Sequence, residues 1–270
     1  MKFKGLSAWA ASCLAFLGLS GVLAAQPPER FDAARERMVV QQLKGRDITD
    51  ARVLAAMGKV PRHRFVPEFL APLAYEDHPL PIGSGQTISQ PYIVALMTQW
   101  AALKPGDKAL EVGTGSGYQA AVLAEITHKV FSVELLPELA KEAAARLEAL
   151  GYRQVQVKAG DGYQGWAEEA PFNVILVTAA ARELPPALAA QLAEGGRLVI
   201  PLGPPGLPQT LMLYRKVRGK LEERARLPVR FVPLVKPGTG RGGEGEKRRN
   251  GETGKGRWNE RDRNDGWFIA

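Results

Sequence analysis

The chain has almost no cysteine. Of 270 residues only Cys13 carries a thiol, and it lies inside an apolar run near the N-terminus, Leu6 to Ala25. A chain processed beyond that run has no disulfide and no thiol nucleophile. Histidine is nearly as scarce. His63, His78 and His128 are scattered, with no i,i+4 or short-loop pairing, so the usual spacing of a metal site is missing. No Gly-x-Ser-x-Gly elbow presents a hydrolytic serine, and no internal repeat points to a solenoid. Composition is otherwise that of a globular protein, 45% hydrophobic and 24% charged. The net charge is +8, but +3 of it (nine basic against six acidic residues) sits in the short stretch Lys236–Ala270. An excess held in a tail gives no ground for expecting a nucleic-acid partner.

Two end segments stand apart from the rest. Lys2 and Lys4 precede the apolar run, which ends in Val22-Leu23-Ala24, an acceptable small-residue cleavage site. Residues 1–24 therefore read as a secretory signal peptide cleaved after Ala24, and the protein is expected to be exported. An uncleaved anchor is the competing reading, but Ser7, Ser12, Ser20 and the interspersed glycines make the run a poor one. No stable membrane association is expected after cleavage. At the other end, residues 236–270 hold nine glycines and fifteen charges with almost no aliphatics. Such a segment cannot bury enough surface to fold alone and is expected to be disordered. One domain, residues 30–235, remains between them.

That domain is organised around Lys108–Tyr118 (KALEVGTGSGY), an apolar strand running into three alternate glycines and then a good helix former, Gln119–Ala124. Strand, glycine turn and helix open a nucleotide-binding α/β sheet. A dinucleotide site needs G-x-G-x-x-G; counted from Gly113, the third glycine falls one residue early, at Gly117. No lysine follows to make a phosphate-binding loop. Around this turn, strands are expected at Val130–Glu134, Val155–Ala159, Phe172–Thr178 and Arg197–Pro201, with helices at Pro137–Leu150 and Pro185–Leu192. An antiparallel pair, Thr210–Val217 and Arg224–Val235, should close the sheet edge. Upstream come helices at Phe31–Lys44 and Ala51–Lys59, the latter capped by Asp50, and then irregular chain as far as Pro91. The fold expected is a doubly wound, mostly parallel α/β sheet.

Glu134 ends the second strand, 21 residues beyond Gly113, where a carboxylate can accept both hydroxyls of a ribose. Asp161 and Gly162 end the next strand on the same rim. There Asp161 can take an adenine amino group while Gly162 lets the ring approach the backbone. No phosphate cradle is present, which fits a nucleoside cofactor without phosphate. Within Leu80–Pro91, local chemistry reads Ser89 as the N-cap of a helix over Tyr92–Trp100, with Pro91 in its first turn.

Glu-Val-Gly-Thr-Gly-Ser-Gly (111–117) resembles the first motif of S-adenosylmethionine-dependent methyltransferases. The chain is also similar, in order from Phe31 to Val235, to the protein-L-isoaspartate O-methyltransferases. The resemblance is carried by Val60–Pro67 (VPRHRFVP), Leu80–Gly83 (LPIG), Gly85–Pro91 (GQTISQP), Leu110–Tyr118, Gly160–Gly162, Gly165-Trp166, Ala170–Phe172, Val177–Ala180 and Arg230–Val235 (RFVPLV). It implies a seven-stranded Rossmann-like sheet with N-terminal helices and an antiparallel edge strand. It also implies S-adenosylmethionine as cofactor, touched by Glu111, Gly113, Thr114, Gly115, Ser116, Gly117, Glu134, Asp161 and Gly162. Ser89 takes the place of the family's active-site hydroxyl. Ile82, Gly83, Thr87, Ile88, Val232, Pro233 and Leu234 would meet the substrate, an isoaspartyl residue in a damaged protein.

For such a reaction the nucleophile is a carboxylate already ionised at neutral pH, so no general base is required. The enzyme must supply proximity, in-line orientation and exclusion of water. A neutral hydroxyl such as Ser89 orients the carboxylate without the ground-state stabilisation of a lysine. The ester then closes to a succinimide without further help, and hydrolysis returns some normal aspartate. A monomer is expected, and the scattered histidines give no metal site. Two other readings stand beside the one the resemblance implies: a methyltransferase of this fold acting on a small molecule or RNA, and a catalytically silent exported binding protein. The signal segment departs from the family, whose members are typically cytoplasmic.

Overall fold

A computed structural model describes residues 28–238 and 268–269. The expected signal peptide, 1–24, lies outside the described residues, as does the tail from 239 to 267.

The first helix, α1 (Pro28–Arg37), passes into a π-helical turn over Met38–Lys44. The wider turn brings Met38 and Leu43, five residues apart, both into the core. Helix α2 (Ala51–Lys59) begins at Asp50, whose side chain accepts the Arg52 N–H at 2.9 Å, the cap expected from sequence. Caps of this kind contribute roughly 1 kcal/mol. The stretch expected to be irregular contains two 3-10 turns, Arg62–Phe65 and Glu68–Leu73, and a small antiparallel hairpin, β1 (Leu80–Gly83) with β2 (Gln86–Ile88). Helix α3 (Pro91–Ala101) follows, buried along most of its length.

The main sheet begins with β3 (Lys108–Val112), and α4 (Tyr118–Ala124) follows the glycine turn. Next come β4 (Lys129–Glu134), α5 (Pro137–Ala149), β5 (Val155–Ala159), β6 (Phe172–Val177), α6 (Pro186–Gln191), β7 (Leu192–Leu202), β8 (Gln209–Val217) and β9 (Lys220–Arg230). Their order across the sheet is β9-β8-β7-β6-β3-β4-β5. Strands β3 to β7 are parallel, and β8 runs antiparallel to both of its neighbours. This is the doubly wound, mostly parallel seven-stranded sheet, closed by an antiparallel pair. The turn between β8 and β9 puts Arg218 and Gly219 both at positive φ, +52° and +74°, a twist that suits a two-residue hairpin. Phe268–Ile269 add a two-residue strand, β10, parallel to β9 at Val229 and Arg230. These two residues of the tail thus have a partner in the sheet.

Period-two alternation divides the interior into two cores. Ala109, Val130, Val174 and Leu176 face the N-terminal helices, α3 and α4. Leu110, Val112, Phe131 and Ile175 face the other way, toward α6. Strand β3 is buried on both sides, so the turn at its carboxyl end sits on a fixed base.

Two expectations need correction. The last strand ends at Arg230, not Val235. Phe231 donates its N–H to the buried Gln209 side chain at 2.8 Å, and Pro233 has no N–H to continue a ladder. The segment Phe231–Val235 instead crosses the carboxyl rim as a strap, tied to Ala180 by two backbone hydrogen bonds of 2.8 Å. In addition, Gln90, not Ser89, occupies the N-cap of α3, and it makes no side-chain cap bond. Asp77 Oδ1 accepts the Tyr92 N–H at 3.0 Å in place of a local cap.

Candidate active site

The carboxyl rim of the sheet holds two adjoining recesses of about 640 and about 320 Å3, which share Thr87, Gly113, Gly115 and Thr178. Glycine is required where they meet. Gly113 and Gly115 have φ of +97° and +52°, a region that L side chains rarely adopt. A Cβ on Gly113 would also collide with the Thr178 hydroxyl. That hydroxyl donates to the Gly113 carbonyl at 2.6 Å and fixes the turn from β6. Arg146 of α5 donates to the Ser116 carbonyl at 2.8 Å and holds the turn's far end.

Two carboxylates lie beside this turn in different surroundings. Glu134, at the end of β4, is 7% exposed; its Oε2 accepts the Gly115 N–H at 2.9 Å and its Oε1 accepts Leu136 N–H at 3.1 Å. Each oxygen retains a second acceptor site, and the side chain lines the larger recess. Glu111 is fully buried and accepts from the Ser132 hydroxyl at 2.5 Å, while Ser132 and Thr114 share a 2.6 Å hydrogen bond. Burial pushes the Glu111 carboxyl up to about 8, opposed by the Ser132 hydrogen bond and reinforced by Glu134 nearby.

Of the residues expected to touch the cofactor, Gly113, Gly115, Glu134 and Gly162 line the larger recess. Glu111, Thr114 and Ser116 line the smaller one. Gly162 admits no side chain: a Cβ would lie 2.6 Å from Val112 Cγ1. Gly117 stands outside both linings as the left-handed N-cap of α4. Asp161 is adjacent to Gly162, and its carboxylate accepts the Tyr163 N–H at 2.9 Å.

Of the residues expected to meet substrate, Thr87, Ile88 and Ser89 line the smaller recess, and Val232, Pro233 and Leu234 of the strap line the larger. Thr87 lies in β2 and Ser89 directly beyond its end, and both border this recess. The Thr87 hydroxyl is buried with no hydrogen-bond partner. Ile82 approaches the turn from above, 3.4 Å from where a Gly115 Cβ would be, so β1 and β2 form a flap over the glycines. Gly83 ends β1 exposed beside the hairpin turn and lines neither recess. Thr178 was missed by the residue-level reading. Its signals in the sequence are a hydroxyl directly after an apolar central strand and its place in Val177–Ala180, one of the segments that carry the family resemblance.

No lysine, arginine or histidine is among the described residues lining either recess. Among the described residues there is also no cluster of three or more metal-ligating side chains. The rim therefore suits a nucleoside carrying positive charge rather than phosphate.

Residues 34–238 match the family model described as Protein-L-isoaspartate(D-aspartate) O-methyltransferase (PCMT). A protein-L-isoaspartate O-methyltransferase of Opitutus terrae is 56% identical over 225 residues, covering 83% of this chain and 97% of its own. One from a Picosynechococcus species is 58% identical over 202 residues, covering 75% and 90%. Among solved structures, a protein-L-isoaspartate O-methyltransferase superposes with a TM-score of 0.67 at 32% identity, over 74% of this chain and 66% of that one. A Plasmodium falciparum protein described as a beta-aspartate methyltransferase (PCMT), in complex with S-adenosyl-L-homocysteine, gives 0.64 at 30% identity over 74% and 98%.

Proposed function

The chain belongs to the protein-L-isoaspartate(D-aspartate) O-methyltransferase family, and from that premise we propose that its rim transfers a methyl group from S-adenosylmethionine to the free α-carboxylate of L-isoaspartyl residues in damaged proteins. The observation that carries this reading is the juxtaposition across Gly113 and Gly115. Glu134 lines the recess on one side and Ser89 the recess on the other, with Thr87 bordering both. S-Adenosylmethionine supplies a methyl already activated by its positive sulfur. The residues present fit it: glycines leave room at the backbone, Glu134 has acceptor sites for ribose hydroxyls, and no basic side chain repels a sulfonium.

Ser89 orients the incoming carboxylate by a hydrogen bond, and Thr87, its buried hydroxyl unpartnered, offers a second donor beside it. Neither needs to remove a proton. Ile82 and the strap Val232–Leu234 wall the cleft against water that would otherwise solvate the nucleophile. The methyl ester leaves the cleft, and the neighbouring backbone nitrogen of the substrate displaces methanol to close a succinimide, without another residue of this chain.

The partners on this reading are isoaspartyl proteins and peptides, with no nucleic acid. The working unit on this reading is a monomer. No described helix is long and apolar enough to cross a membrane. Export rests on Lys2, Lys4 and the apolar run alone.

The deciding experiment supplies labelled S-adenosylmethionine with paired peptides that differ only in isoaspartyl against normal aspartyl linkage. Base-labile methyl ester on the isoaspartyl peptide alone is the expected result. Equal labelling of both peptides, or label passing only to RNA or a small molecule, overturns the assignment.

A further inference from the structure

Asp77 lies between the second 3-10 turn and β1, twelve residues before Ser89, and its carboxylate holds the chain just beyond that serine. Oδ1 accepts the Tyr92 N–H at 3.0 Å. Oδ2 accepts the Gln90 side-chain amide at 2.9 Å and the Arg46 guanidinium at 2.7 Å. Gln90 and Tyr92 are buried, and the first of them is the N-cap that α3 cannot satisfy with its own side chain. Arg46 lies 3.8 Å from the Tyr92 ring centroid, and the Tyr92 hydroxyl donates to Asp47 at 2.8 Å. Pro91, between the two anchored residues, fixes its own φ. Ile88, on the other side, is sunk in the core at 3% exposure. Ser89 is thus the one link between a buried strand end and a segment clamped by Asp77. The place of its hydroxyl follows from the place of the clamp.

We infer that Asp77 is a positioning residue for the reaction: by binding Gln90 and the Tyr92 N–H it holds the Ser89 hydroxyl where the substrate carboxylate must meet it. The inference rests on the reading of Ser89 given above. A carboxylate that only capped α3 would stabilise the fold without being coupled to Ser89. A positioning role requires that coupling, because a misplaced hydroxyl matters only if the hydroxyl is there.

A double-mutant cycle on full-length protein tests this, with kcat and KM for an isoaspartyl peptide, the Kd of S-adenosylhomocysteine and the melting temperature measured for each variant. Asp77→Asn should lower kcat roughly tenfold, the size of a lost charge-assisted hydrogen bond, with the Kd within about twofold of wild type. In a Ser89→Ala background the same substitution should change kcat by no more than about twofold. A full tenfold loss in that background, or wild-type kcat in folded Asp77→Asn, overturns the role of Asp77. A wild-type rate in Ser89→Ala alone overturns the reading of Ser89, and with it this proposal. Should Asp77→Asn fail to fold, Gln90→Ala removes one bond of the clamp and is carried through the same cycle. A kcat loss that vanishes without the serine supports the inference, and one that persists overturns it.

Discussion

Glu111 and Glu134 stand on adjacent strands and border the same cleft, yet their surroundings give them different behaviour. Glu111 is sealed beneath the glycine turn, and burial raises its carboxyl from an ordinary 4.5 to about 8. Between those values the folded chain keeps a proton that the unfolded chain has released. Stability contributed by this site therefore falls as pH rises from about 4.5 to about 8, at up to roughly 1.4 kcal/mol per pH unit. Glu111→Gln cannot titrate, and urea midpoints taken across that window should be flatter for the variant than for wild type. Parallel curves would show that Glu111 titrates normally. Glu134 serves the ligand on the reading proposed here, its two oxygens already anchored by the Gly115 and Leu136 N–H groups. Glu134→Ala should weaken S-adenosylhomocysteine binding by roughly 10- to 100-fold, the range of a charge-assisted hydrogen bond. Unchanged calorimetric affinity in a folded variant refutes it.

At the scale of elements, what could be read from the sequence was what local chemistry decides. Strands β3, β4 and β6 are buried and largely apolar, and glycine, proline or charged turns bound them. The edge strand β5 has no buried residue but alternates apolar with polar side chains, and Val155–Ala159 appears with the same ends in sequence and structure. The glycine turn was legible because only glycine tolerates its backbone and its approach to Thr178. Short or long-range elements were not. The hairpin β1–β2 has strands of four and three residues, too few for a period to show. Phe231–Val235 carries a strand-like apolar pattern, but its apolar side chains cover the rim rather than extend the sheet. Its anchors, Gln209 and Ala180, are distant in sequence. Ser89 looked like a cap because the residue that serves α3, Asp77, comes from outside the helix's own neighbourhood. Family resemblance, not local chemistry, pointed Ser89 toward the cleft.

For the whole molecule the open matter is where it works. The family match begins at residue 34, so a run of more than thirty residues precedes it, and Lys2, Lys4, Leu6–Ala25 and Val22-Leu23-Ala24 give that run the form of a signal peptide. Translation from Met38, the next methionine, would remove the leader but also cut into the fold. Phe31 stacks on His63 with ring centroids 4.2 Å apart, and Arg35 donates to the Tyr75 hydroxyl at 3.5 Å. Both contacts would be lost, and Met38 and Leu43 would begin a helix with no preceding turn to hold it against the core. Cleavage after Ala24 leaves all of α1 intact, since the helix starts at Pro28. The expected mature N-terminus is therefore at or near Ala25, in a non-cytoplasmic fraction, and an exported enzyme would draw on S-adenosylmethionine that has left the cytoplasm. N-terminal sequencing of the natural protein after fractionation decides it. An intact Met1 in the soluble cytosol would overturn export while leaving the rim chemistry untouched, because the described residues that line the cleft lie between Gln86 and Val235.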